Sequence, residues 1–459
     1  MPRTIISRRQ LLKLSAMATG AATLANCGPA GTTPASTSAP VQALSGEIQY
    51  CHYDFGPANA SREAARDTFQ KMHPGTKINL TMLPYGEMYE KVAAGMATGQ
   101  PPDVIYGDFG LVRYALEGQL LDLTDRVQAD SVLSQADLFT MSLTDPLQAK
   151  YGTSKLFALA QGTWVPIFYF NRELFDAAGV AYPNEDWTWD DVSEAAKALT
   201  KPEADQYGVQ FGTTLDNVGW LWWMNKPADF WATPQAFPDK THFASDAGRA
   251  ALALFRRFGA DEKTHVPVDV NATFDVYGGA FGAGKVGMYS GGDWDAGWSF
   301  KDLPFQWGMT MLPMAIKGYR PKLNTMVSTN VIAKATKNPD LAWEWIRFLT
   351  ATPEGQTLIG EGAFEAPVLK EAASSDAVLK PSWAAPGYEA RHKAAELPGP
   401  MYTPYPLNLD LWEFPGQHID PTVEQLKSGE ITVEDAVAYL DAEGNPYFAK
   451  QKQDTPPIP

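Results

Sequence analysis

The sequence predicts an α/β protein in which helices cover a largely parallel sheet. Three observations carry this. Apolar residues alternate with period two in some segments and recur every three to four residues in the segments between them. The switch repeats in the order strand, helix, strand, helix, strand, which is the pattern of parallel pairing. The chain has 459 residues, 45% apolar and 20% charged, a globular composition with room for a large core. Length sets an expectation of roughly two to three domains.

Each element follows from local pattern. Glu47 to Tyr53 alternates as a strand does. Arg62 to Met72 places Ala65, Phe69 and Met72 on one helical face. Ile78, Leu80 and Met82 alternate again, and Tyr89 to Ala97 is helical up to Gly99. Pro101-Pro102 then leads into an apolar strand at Val104-Ile105-Tyr106. Val165 to Phe170 is a further apolar strand, with Asn171 to Ala178 helical after it. Thr188 suits a helix N-cap, and Asp190 and Asp191 suit the positive end of its dipole. Val192, Ala195 and Leu199 form the apolar face of that helix. Asn338-Pro339 reads as N-cap plus first-turn proline, with Ala342, Trp345 and Leu349 inward, and Thr352-Pro353-Glu354 starts another helix. No internal repeat is visible, and no low-complexity tract follows Ser45.

The N-terminus reads as an address. Arg8-Arg9 is followed by an acid-free run of small and apolar residues from Leu14 to Ala25, then Asn26-Cys27. A basic start, a moderate apolar stretch and small residues before a cut make a signal peptide, 1–26, too weakly apolar to span a bilayer. The arginine pair resembles a twin-arginine signal, and Leu24-Ala25-Asn26-Cys27 resembles a lipobox that would acylate Cys27. Residues 27–45, rich in Pro, Thr, Ser and Ala, suit a flexible tether. An exported, lipid-anchored protein facing the periplasm or the exterior is expected. Removing Arg3, Arg8, Arg9 and Lys13 with the leader takes the net charge from −16 to −20.

Composition excludes several function classes. Acidic residues number 53 against 37 basic, so a nucleic-acid footprint is not expected. Two cysteines in the whole chain exclude a disulfide scaffold and a multi-cysteine metal site. The six histidines, His52, His73, His242, His265, His392 and His418, show no metal-ligand spacing. Gly279 to Lys285 matches G-x-x-x-x-G-K, and Gly282, Gly284 and Gly287 spell G-x-G-x-x-G. Val286 stands where the phosphate loop needs Ser or Thr, and a strand rather than a helix follows, so a glycine-rich turn into a strand is expected. No cofactor, metal ion or catalytic residue is assigned.

Aromatics carry more information, at 12% of the chain with 14 tryptophans. Sugars present C–H faces that lie flat on aromatic rings, while their hydroxyls need Asp, Asn, Glu and Arg; a rigid platform with a few polar groups is a ligand-site composition. A single Trp is more often core. Trp187, Trp189, Trp343 and Trp345, at or inside helices, are assigned to packing. Trp220, Trp222 and Trp223 cluster together, Trp164 lies at a strand edge, and Trp294 sits between Asp293 and Asp295 after Gly291-Gly292. Trp294 is the least core-like of the set.

Four blocks resemble the extracellular solute-binding proteins of ABC importers, in the sugar-binding class related to maltose-binding protein. They are Ala93-Ala94-Gly95-Met96-Ala97-Thr98-Gly99-Gln100-Pro101-Pro102-Asp103-Val104; Tyr169 to Phe175 through Ala178-Gly179-Val180 to Trp187-Thr188-Trp189; Phe281 to Met288 through Gly292-Asp293-Trp294; and Asn338 to Leu349. The resemblance runs from about Gly46 to Phe448. It implies an α/β, two-lobed periplasmic-binding-protein fold of type II. Its lobes are expected at 46–163 plus 327–365 and at 164–326 plus 366–459. Three crossovers join them, near Gly162–Trp164, Thr325–Ser328 and Phe364–Pro367. Ligand would be buried between the lobes by hinge closure. Tyr53, Asp108 and Phe109 then follow strand ends, Trp164 and Trp294 face the cleft, and Trp220 and Trp222 lie on a second-lobe loop. Asp293 would hydrogen-bond hydroxyls, Asn330 would reach the cleft from Ser328-Thr329-Asn330, where relatives often carry glycines, and Trp412 would supply a C-terminal ring. The partners implied are a sugar or oligosaccharide, ABC permease subunits and a membrane through the lipid anchor; a monomer is expected. Two alternatives stay open: a secreted glycoside-active enzyme on the same scaffold, and a binding protein for a cationic or peptide solute.

Overall fold

The structure is a computed structural model that describes residues 44–107, 111–139, 155–212, 214–226, 240–321, 323, 327–397 and 413–454. The leader, Cys27, the tether up to residue 43, Asp108, Phe109 and Trp412 lie outside the described residues. The remainder is built around two sheets.

Among the described residues the first sheet has six strands in the order β10-β4-β9-β3-β1-β2. β1 (Gly46–Tyr53) pairs in parallel with β2 (Thr76–Leu83) along its whole length, and with β3 (Val104–Gly107) on its other side. These are the strands legible as β-α-β-α-β. The other half of the sheet is antiparallel: β9 (Val327–Ile332) lies between β3 and β4 (Ala158–Thr163), and β10 (Ala366–Pro367) pairs with β4. Its strands come from distant parts of the chain, so no local period announces their direction.

The second sheet has the order β6-β7-β5-β8. β5 (Pro166–Asn171) is antiparallel to β7 (Val286–Gly292) and β8 (Trp307–Met311), and β6 (Tyr207–Phe211) is parallel to β7. β5 is buried at every position. Its Phe168 and Phe170 enter one core and its Ile167 and Tyr169 another, so the sheet is covered on both faces, which is why its sequence reads as an unbroken apolar run.

Helix ends follow side-chain chemistry. Thr188 and Asp191 form a reciprocal capping box on the helix Trp189–Leu199, which buries Val192, Ala195 and Leu199. Asn171 Oδ1 accepts from the backbone N–H groups of Glu173 and Leu174, so Asn171 caps the helix Arg172–Ala178 rather than belonging to it. Gly99 ends the helix Tyr85–Thr98 in the left-handed region at φ 72°, where a side chain would be strained. That helix starts four residues earlier than its apolar period indicated.

Some expectations are corrected. Asn338 stands at the N-cap of the helix Pro339–Ala351 with Pro339 after it, as expected, but its side chain makes no cap bond; it donates instead to the Glu47 carbonyl, tying that helix to β1. Met72 is 51% exposed: it is the last residue of the helix Asn59–Met72, past the reach of the sheet, and the inward residues are Arg62, Ala65 and Phe69. Trp220 and Trp222 are not on a loop. They lie in the helix Thr214–Met224, 1% and 0% exposed, within the second sheet's core, and Trp222 packs edge-on against Phe243 at 5.3 Å. From Val218 to Met224 the helix carries no polar side chain, and Val218, Leu221 and Met224 are buried with the tryptophans. The glycine-rich segment is a single helical turn, Gly279–Gly282, leading into β7.

Candidate functional site

The chain leaves the first sheet at the end of β4, passes through Trp164-Val165 and enters the second sheet at β5. It returns from β8 to β9, and passes out again after β10. Aromatic rings collect at these passages. Trp164, 2% exposed, donates its indole N–H to the Phe364 carbonyl at 2.9 Å. Its ring meets Phe364 at 5.7 Å and Trp294 at 6.3 Å, both edge-on. The Phe364 ring also lies 4.6 Å from Phe55, 6.3 Å from Tyr53 and 5.4 Å from Trp298.

From this junction the rings extend in two directions. On the first-sheet side Tyr53 packs on Tyr85 at 5.1 Å, and Tyr85 on Tyr89 at 5.1 Å. On the second-sheet side Tyr277 stacks on Trp298, 5.6 Å apart and 17° from parallel. Tyr85 and Tyr277 are 38% and 39% exposed, so each arm of the belt carries one ring open to solvent. Trp294 and Trp298 are half-buried at the two ends of the short helix Trp294–Trp298. The first-sheet turn Gly56–Ala58 faces that helix: a Cβ on Gly56 would sit 3.5 Å from the Trp298 indole nitrogen. Gly292 has to be glycine, because a Cβ there would lie 1.9 Å from the Trp294 ring.

Polar side chains frame the belt. Asp295, 1% exposed, accepts from the Tyr277 hydroxyl and, at 3.2 Å, from the Gly292 N–H, which fixes the Tyr277 ring. Asp54 is exposed at the C-terminal end of β1, where it accepts from the Gly56 N–H and the Asn59 amide at 2.6 Å. Ligands of open α/β sheets bind at such strand ends.

The residues expected to form the site divide accordingly. Tyr53, Trp164 and Trp294 are brought together around Phe364. Trp220 and Trp222 are core. Asp293 is fully buried and committed to protein groups: Oδ1 accepts from the Val165 N–H at 3.1 Å, and Oδ2 accepts from Arg391 at 2.9 and 3.2 Å. Burial pushes its carboxyl up to about 6, although the Arg391 guanidinium pulls it the other way. Asn330, also 0% exposed, accepts from Tyr50 at 2.8 Å and donates to Gln161 at 3.0 Å, behind the belt rather than in it.

Tyr85, Tyr89, Tyr277 and Phe364 were not singled out, and Trp298, which follows the glycine pair together with Trp294, was not assigned to the site. Two carried a usable signal: Tyr85 directly follows β2 and Pro84, at a strand's C-terminal end, and Trp298 stands four residues from Trp294, on the same helical face. Phe364 carried none, because its role depends on contacts across the whole chain.

A separate cavity of about 420 Å³ lies among Tyr207, Lys263, His265, Val268, Asp269 and Lys427. His265 is spoken for there, with Nε2 accepting from the Phe211 N–H and Nδ1 2.6 Å from the Val266 carbonyl. Among the described residues no three His, Cys, Asp or Glu side chains form a metal-binding group, and no helix is long and apolar enough to cross a bilayer.

Comparison with known proteins agrees with this architecture. Residues 56–356 match the family described as bacterial extracellular solute-binding protein. The mannitol-binding protein of Pseudomonas aeruginosa is 28% identical over 143 residues, 31% of each chain, so the match spans less than a third of that relative. An ABC substrate-binding protein from Listeria monocytogenes, solved in complex with cycloalternan, superposes with a TM-score of 0.72 at 22% identity, covering 88% of this chain and 99% of its own. The sugar-binding protein MalE of Xanthomonas citri gives 0.70 at 18% identity, over 89% and 98%. At these identities the structural likeness is one of fold.

Proposed function

The chain belongs to the bacterial extracellular solute-binding proteins, and from that premise we propose that it captures a sugar or oligosaccharide between two lobes and delivers it to an ABC permease. The lobes are 46–163 plus 327–365 and 164–326 plus 366–459; the division into two sheets supports them, with β10 extending the first lobe by Ala366 and Pro367. The observation that carries the reading is the aromatic belt. Rings from both sheets meet at Phe364, and one ring on each arm, Tyr85 and Tyr277, is open to solvent in the way that a pyranose C–H surface could cover. Mannitol and cycloalternan, named for two similar proteins, supply polyhydroxylated, uncharged probes.

The state of two carboxylates supports capture rather than cleavage. Glycoside hydrolysis needs two carboxyl groups facing one bond across about 5–10 Å. Asp293 is held by Arg391 and the Val165 backbone, and Asp295 by Tyr277 and the Gly292 backbone. The twin-arginine and lipobox patterns support export and anchoring through Cys27.

The test is a titration of the mature protein with mannitol, maltotriose and cycloalternan, followed by Trp fluorescence and calorimetry. At least one should bind with micromolar affinity, about 8 kcal/mol. Trp294→Ala should weaken it roughly tenfold, about 1.4 kcal/mol, the range of a lost ring contact. A fluorescence signal unmoved by every carbohydrate, or an affinity indifferent to Trp294→Ala, would refute the reading.

A further inference from the structure

Directly before β10, beyond which the chain leaves the first sheet, stands a fully buried carboxylate next to the ring that joins the two arms of the belt. Glu365 is 0% exposed. Its Oε1 accepts from Arg62 Nη2 and from Gln161 Nε2 at 2.7 Å; its Oε2 accepts from the Tyr106 hydroxyl at 2.8 Å and from the Ser328 hydroxyl. The four donors come from the helix Asn59–Met72, β4, β3 and β9, so one side chain ties four elements of the first sheet's layer to the segment that leads into β10. The chain makes room for it: a Cβ on Gly162 would lie 2.4 Å from the Glu365 carboxyl. Arg62 is 1% exposed, and its guanidinium lies 4.6 Å over the Phe55 ring.

A buried ion pair is poor value as stabilisation. Removing both charges from water offsets most of their attraction, and apolar replacements of similar volume are often as stable. What such a pair does supply is a position, because a carboxylate with four donors fits in one place only. Phe364 precedes Glu365 directly. Its carbonyl receives the Trp164 indole, and its ring meets Tyr53 and Phe55 from the first sheet's side and Trp298 from the second's.

We infer that Glu365 is a positioning residue of the sugar site: through its four donors it fixes the Phe364 post against which Trp164 and Trp298 close. This rests on the carbohydrate-capture reading above. Glu365 reaches ligand only through Phe364, so its effect falls on the lifetime of the closed complex rather than on first encounter.

Glu365→Gln alone would leave Arg62 buried and unpaired, so the variant is Arg62→Met with Glu365→Gln. It removes both charges and leaves one amide oxygen to accept from the Tyr106 and Ser328 hydroxyls, at the cost of the Gln161 bond. The probe is whichever of mannitol, maltotriose and cycloalternan binds the unmodified protein most tightly, followed by stopped-flow Trp fluorescence. The dissociation rate should rise about tenfold with the association rate within about twofold and the stoichiometry unchanged; a simple loss of folded protein lowers stoichiometry instead. Phe364→Leu should reproduce the faster dissociation, and adding it to the double variant should change little, because both act through one post. A folded double variant with the original dissociation rate, or effects that multiply independently, overturns the inference. A sugar-free measurement separates its failure from that of the capture reading. In Trp-labelled protein, hydrogen exchange of the Trp164 indole N–H should quicken about tenfold in the double variant while that of Trp222, in the second sheet's core, stays put. Unaltered Trp164 exchange overturns the positioning role even if no sugar binds.

Discussion

His52 shows how much one buried side chain can decide. It is 0% exposed, stacks on Phe55 at 5.0 Å and 13° from parallel, and its Nδ1 lies 2.8 Å from the Tyr53 carbonyl, while Nε2 is buried without a partner. Burial, reinforced by Arg62 and opposed by the Tyr53 carbonyl, lowers its pKa from 6.5 to about 3. A depressed folded-state value means the native state resists the proton, so this stability is complete above pH 6.5 and is lost as pH falls towards 3. At about 1.4 kcal/mol per unit the loss approaches roughly 4–5 kcal/mol at the acid end. His52→Leu should therefore have a shallower dependence of unfolding free energy on pH between 6.5 and 4, measured by urea titration; parallel acid limbs for the two proteins would contradict this. At this scale the sequence was a partial guide. It separated Trp294, beside glycines and acids, from Trp343 and Trp345 on a helix, but it read Trp220 and Trp222 as platform. A Trp cluster looks the same in a row of letters whether it faces ligand or core, and only the other sides of its helix decide.

Elements were legible where their ends carry chemistry. The capping box of Thr188 and Asp191 is local, so four residues of sequence define it. Thr188→Ala should lower stability by about 1 kcal/mol, read as a shift in denaturant midpoint with unchanged slope; no shift would mean the box contributes nothing. The strands β1 to β3 were legible for the same reason, with period two and short connections. The antiparallel half of the first sheet was not, because β4, β9 and β10 find one another across long stretches of chain. Gly162 belongs to that illegible part: nothing near it in sequence explains why it lacks a side chain, and Glu365, some two hundred residues on, does. Gly162→Ala should destabilise the protein by roughly 1–3 kcal/mol through overpacking, in the same denaturant assay. A neutral result would show that Glu365 can retreat and is not held in one place.

At the scale of the molecule, two sheets are joined by passages lined with rings; one apolar cluster also runs between them, with Ala160 and Val327 of the first sheet beside Phe168 and Phe170 of the second, and the belt around Phe364 is where rings from both halves meet. The acidic balance reads as a solubility feature rather than as a guide to ligand, since the carboxylates nearest the belt are engaged by protein groups. Fold class and the family resemblance were legible in the sequence because they rest on motif order along the chain. The belt was half legible, since its membership depends on which rings the passages bring together. The most direct test of the account is a crystal structure grown with the tightest-binding of mannitol, maltotriose and cycloalternan. The account predicts the sugar between the two arms of the belt, a C–H face against Tyr277, Trp294 or Trp298 and contacts to Tyr53 or Tyr85 opposite. Sugar seated instead in the cavity beside Tyr207 and His265, with the belt empty, would contradict it.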